Sequence, residues 1–190
     1  LRSWLRRWPK QQLTELIERQ LDAFEDKIGT TPVFIDGHQH VHQFPQIREA
    51  LISTIHRRYG YSIAWRNTQP LIRDAKSQIV YSMGGRFSQK LIQKSGLGSN
   101  AIFGGVYDFQ ANIDELSHFW TRWLSASPHQ GTVIMCHPAL PNYQWQDEIK
   151  TARELEWQLL SSDQFGQILQ QYNIQGQSWR DFTKKKAQTK

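Results

Sequence analysis

The chain has 190 residues, 38% hydrophobic and 21% charged, with a formal net charge of +6. That is enough chain to bury a core, and it argues against a disordered segment. No apolar run approaches the roughly 18–20 residues a membrane-spanning helix needs. Cys136 is the only cysteine, which excludes an intrachain disulfide.

Much of the excess positive charge gathers at the ends, in Arg2, Arg6, Arg7 and Lys10 and again in Lys184, Lys185, Lys186 and Lys190. Such runs read as solvated termini. No nucleic-acid-binding module accompanies them. Trp4, Leu5 and Trp8 among the arginines would also suit a membrane surface. The first nine residues lack the apolar region of a signal peptide, and the cysteine usage fits a reducing cytoplasm.

Leu13, Leu16, Ile17, Leu21, Phe24 and Ile28 recur at helical steps and predict a helix over 10–28, with Pro9 at its first turn and Gly29 as its stop. Residues 31–36 predict a short buried strand. A second helix is expected over 45–59, with Ile47, Leu51, Thr54, Ile55 and Tyr59 inward and Gly60 ending it. A strand over 61–65 then runs into Arg66-Asn67. Strand, helix and strand with short connections favour parallel strands under covering helices.

Residues 67–112 are less regular. A helix is expected over 88–94, and Gly84-Gly85, Gly96, Gly98 and Gly104-Gly105 interrupt the pattern without forming a phosphate loop. Asn112 with Glu115 reads as a capped helix start, the helix running to about Leu124. Residues 131–135 form the clearest buried strand, which Pro138 prevents from continuing. Two more helices are expected over 147–160 and 163–172. The expected organisation is one domain over 1–182 and a basic disordered tail over 183–190.

Three polar clusters follow predicted strands: Asp36 with His38, His40 and His42; Arg66 with Asn67; and His137. In parallel α/β proteins such strand ends carry the site. Histidines spaced two apart after an aspartate suit metal ligation. On an extended chain the three would share one face. If the chain turns after Asp36 they splay, one or two ligate, and the others orient groups behind them. His56 and His118 fall mid-helix and His129 in a turn, so all three read as structural or exposed. Cys136 and His137 alternate in direction on a strand and make a poor nucleophile pair. The eight tryptophans suit a core, or stacking on sugar rings.

Thr31 to His42 followed by Phe44-Pro45 resembles the histidine signature of the YdjC-like (ChbG-type) carbohydrate deacetylase family. Arg66, Met135-Cys136-His137-Pro138-Ala139, the Arg153…Glu156 helix and Ser178-Trp179-Arg180-Asp181-Phe182 agree in order. The resemblance implies an α/β fold, a distorted TIM-like (β/α) barrel, and hydrolytic removal of acetyl groups from N-acetylated sugars such as chitooligosaccharides. It implies a divalent metal, magnesium ahead of zinc, with His38 as a ligand. It places Arg66, His40 and His42 against substrate, with His137 in the same pocket as a candidate catalytic acid or oxyanion partner. A cytoplasmic protein, with a homodimer admitted, completes the expectation.

The family's Asn-Ala-Asp-Asp-Phe-Gly motif and its Gly-x-His ligand are not in this sequence. A full barrel of this type takes about 250 residues. The expectation is therefore a barrel incomplete at its N-terminus, with an unpaired edge. Such a chain would carry one metal ligand of the family's three and show little activity alone. Two alternatives stand beside this: a non-catalytic remnant or sugar-binding fragment, and an amidohydrolase-like metal-dependent barrel hydrolase.

Overall fold

The structure is a computed structural model that describes residues 7–127, 131–142, 144 and 146–181. The expectations for Trp4 and Leu5, for His129 and for the tail over 183–190 lie outside the described residues. Contacts divide the chain into two compact units: Leu1–Gln69, Gln78–Ala101 and Gln177–Lys190 form one, and Pro70–Ser77 with Ile102–Gly176 the other.

The first unit opens with α1 (Lys10–Ile28). Pro9 occupies its N-cap, and Gly29 ends it at φ 75°, donating its N–H to the Glu25 carbonyl. Only a glycine takes that left-handed cap without strain. Leu13, Ile17 and Leu21, four apart, are buried, whereas Leu16, Phe24 and Ile28 are exposed. The six apolar residues at helical steps are thus not buried alike. The apolar stripe is wider than the face α2 covers. Glu18, Asp22 and Glu25 of α1 surround Arg58 of α2 (Ile47–Tyr59), each oxygen 2.6 Å from its guanidinium.

α2 begins two residues after the predicted start. Gln46 is its N-cap, in a reciprocal box with Glu49. Its buried residues are Arg48, Ala50, Ile52, Thr54 and Ile55; Ile47, Leu51 and Tyr59 only flank the core. β1 (Phe34–Ile35), β2 (Ala64–Trp65) and β3 (Gly98–Ser99) form a parallel sheet in that order, with Phe34 opposite Ala64 and Ala64 opposite Gly98. Each strand is two residues long, so the expected strands over 31–36 and 61–65 are much shortened. α3 (Ala75–Val80), a π-helical turn (Tyr81–Gly85) and α4 (Arg86–Ser95) precede β3.

In the second unit, β4 (Ile102–Gly104) pairs in parallel with β5 (Thr132–Ile134), and α5 (Ile113–Ala126) is the crossover between them. The Asn112 side chain accepts from the N–H groups of Asp114 and Glu115, and Glu115 bonds back to Asn112, as the capping pattern predicts. α6 (Lys150–Leu160) and α7 (Asp163–Gln171) pack on α5. Leu116, Trp120, Trp123, Leu124, Leu159 and Ile168 are their buried core. β5 is half-buried rather than fully buried.

The fold is α/β with parallel sheets. Neither sheet closes on itself among the described residues. No described helix is long and apolar enough to cross a membrane.

Candidate functional site

The chain turns immediately after β1. Asp36 and Gly37 lead into a 3₁₀ turn over His38–Gln43, where Gln39 (φ 49°) and His40 (φ 61°) are left-handed. Side chains other than glycine rarely adopt that conformation. Two in succession cost about 1–3 kcal/mol each, and they persist only where surrounding contacts compel them. The turn excludes the extended arrangement and splays the three histidines.

Arg66, at the end of β2, supplies the compelling contact. It is buried, and its Nη2 lies 2.9 Å from His40 Nδ1. The same guanidinium nitrogen pairs with the Asp36 carboxylate. A guanidinium only donates, so His40 Nδ1 accepts and the proton of the neutral ring sits on Nε2. Burial pushes the Arg66 pKa down, and the Asp36 charge opposes that.

His42 is 1% exposed, with both ring nitrogens on the backbone. Its Nδ1 accepts from the Gly37 N–H at 3.1 Å and its Nε2 donates to the Arg66 carbonyl at 2.9 Å. Burial, then the neighbouring Arg66 charge, lowers its pKa to about 4. His42 therefore braces the turn as a neutral ring. The substrate contact expected of it would require one of these bonds to break. Gly37 is needed here, because a Cβ would stand 2.6 Å from the His42 backbone nitrogen.

Gln43 closes the turn and is equally buried. Its side chain accepts from Thr68 Oγ1 at 2.6 Å and donates to the Val80 carbonyl at 2.7 Å. Its own carbonyl accepts from Arg48 Nη1 at 3.1 Å and Ser88 Oγ at 3.3 Å. Asn67 and Asn100 exchange hydrogen bonds of 2.7 and 2.9 Å across the ends of β2 and β3. His38 is exposed at the start of the turn. No group of three or more His, Cys, Asp or Glu among the described residues could hold a metal ion. A metal centre built from these residues alone does not fit.

The second unit holds His137, three residues beyond the last residue of β5. Its backbone N–H donates to the Glu156 carboxylate, and its carbonyl accepts from Arg153 Nη1 at 3.2 Å. The Phe109 ring stands edge-on to the imidazole, centroids 5.2 Å apart. Glu156 is 1% exposed and accepts the Tyr107 O–H at 2.7 Å. Burial, then that carboxylate, pushes the Tyr107 pKa up.

The structure thus brings Asp36, His40, His42 and Arg66 into one bonded cluster, leaves His38 exposed, and places His137 in a separate bonded group. Gln43, Tyr107 and Glu156 were missed as partners. Only Glu156 left a signal, through its three-residue spacing from Arg153.

The family model described as YdjC-like protein matches residues 1–171. Comparison with curated proteins gives no match. A crystal structure from Enterococcus faecalis V583, of a protein provisionally described as a cellobiose-phosphate cleavage protein, is similar in fold: TM-score 0.67, at 16% identity. The similarity covers 93% of this chain and 62% of that one, so this chain spans less than two thirds of its neighbour's length.

Proposed function

This chain belongs to the YdjC-like protein family, and on that premise we propose that it acts in hydrolytic removal of acetyl groups from N-acetylated sugars of the chitooligosaccharide type. The observation that carries the reading is the strained turn after β1, where a buried arginine holds His40 and Asp36 at a strand end. Strain of this kind clusters at active sites. The sugar-related description of the fold neighbour supports the substrate class. The parallel α/β fold is read as part of a distorted (β/α) barrel.

Amide hydrolysis adds water to the acetyl carbonyl, breaks the C–N bond, and releases acetate and an amine that must gain a proton. His137 is assigned that proton transfer. The neutral His40 ring, with its proton on Nε2, is assigned a hydrogen bond to a sugar or acetyl oxygen. Arg66 lines the same place and holds the ring in that tautomer, while His42 fixes the Arg66 backbone. A divalent cation, magnesium ahead of zinc, belongs to the reading, with His38 the donor this chain would bring. The described residues supply no three-donor group, so no step is routed through it. A cytoplasmic homodimer completes the proposal.

The test is acetate release from N,N′-diacetylchitobiose with magnesium or zinc added, for the chain and for His40→Ala and His137→Ala. Release that both variants lose supports the assignment. Release that neither variant alters overturns both roles. The lack of a three-donor group among the described residues favours a second reading, sugar binding without turnover. Calorimetric binding of the intact sugar with no acetate formed would select it.

A further inference from the structure

We propose that α6 orients the His137 imidazole through the histidine's own backbone, with Glu156 and Arg153 as positioning residues. The proposal rests on the reading of His137 as proton donor. Residues three apart on a helix lie on one face. From that face Glu156 takes the His137 N–H and Arg153 takes the His137 carbonyl, so both polar groups of one residue are held by one helix. A third bond runs from the Ala139 N–H to the Arg153 carbonyl, at 3.1 Å. Between them Pro138 has a fixed φ and no N–H to offer.

The holders are themselves held. Glu156 is buried, and its second oxygen accepts the Tyr107 O–H. Arg153 Nε donates to Asp147 Oδ2 at 2.5 Å. Hydrogen bonds to an ionised group are the strong ones, and here they converge on a segment with no regular structure of its own. The Phe109 ring then closes one side of the imidazole. Proton transfer is sensitive to misplacement of the donor by about 1 Å, which a loop left to itself would not prevent.

The test is NMR of the full chain and of Glu156→Gln, with kinetics on the N-acetylated sugar beside it. Glutamine keeps the shape but removes the charge, so the bond from the His137 N–H loses its charge-assisted strength. We expect the His137 amide proton to lie far downfield and exchange slowly. In Glu156→Gln it should move upfield and exchange about tenfold faster, a change of about 1.4 kcal/mol. The nuclear Overhauser contacts between the His137 and Phe109 rings should weaken, with the far-UV circular dichroism unchanged. Arg153→Met provides a second arm, on the partly exposed side, should Glu156→Gln fail to fold; it should weaken the same ring contacts. Unaltered ring contacts in a folded variant of either kind overturn the proposal. In turnover, kcat should fall about tenfold with KM nearly constant. If His137→Ala abolishes acetate release while Glu156→Gln leaves kcat intact, the positioning role is overturned and the proton-donor reading stands. If His137→Ala leaves acetate release intact, the proton-donor reading fails, and the ring contacts still decide whether α6 orients the residue.

Discussion

Arg66 Nη2 and His40 Nδ1 lie 2.9 Å apart, and this contact joins the end of β2 to the one left-handed histidine in the turn after β1. It couples a strained backbone to a defined tautomer. His40 is expected to show the Nε2–H tautomer in long-range proton–nitrogen spectra of the full chain. In Arg66→Gln the donor is weakened and a mixture of tautomers should appear. A pure Nδ1–H form in the wild type would contradict the geometry.

His42 sets a pH dependence of stability. Its folded pKa, about 4, lies below the ordinary 6.5 because burial disfavours the charged ring. Between those values the unfolded chain binds a proton that the folded chain does not, so stability rises with pH through that window. The effect amounts to up to about 3 kcal/mol between pH 7 and pH 4. Urea unfolding at a series of pH values should show this slope, and His42→Asn should flatten it while lowering stability at pH 7.

Gln43 and Gly84 form a pair whose fit is testable from either side. Gln43→Ala strands Thr68 and the Val80 carbonyl and should cost about 2–3 kcal/mol. Gly84 sits at φ 132°, and a Cβ there would overlap the Gln43 carbonyl. Gly84→Ala is therefore expected to cost more than about 2 kcal/mol. Both should move the urea midpoint at constant slope.

Helices were legible wherever the local chain decides them. Pro9 and Gly29 bound α1, and Asn112 with Glu115 starts α5, because caps act within a few residues of where they stand. The strands were legible in place but not in length, since a ladder of two residues depends on a partner some thirty residues away. β3, β4, α3 and the π-helical turn left no pattern strong enough to read. The histidine turn divides the same way. Its existence as a polar cluster was plain from His38, His40 and His42, and its geometry was not. Arg66, twenty-six residues on, holds His40 in a conformation its own sequence disfavours. A buried hub such as Gln43 looks like an ordinary polar residue in sequence, and only distant partners reveal it.

The central claim is that this chain handles the N-acetyl group of a sugar. The most direct measurement follows acetate and free amine together from N,N′-diacetylchitobiose, with magnesium or zinc present. The account predicts one amine for each acetate, and loss of both in His40→Ala and in His137→Ala. No acetate from a panel of N-acetylated sugars, with no binding of the intact sugars either, would contradict it.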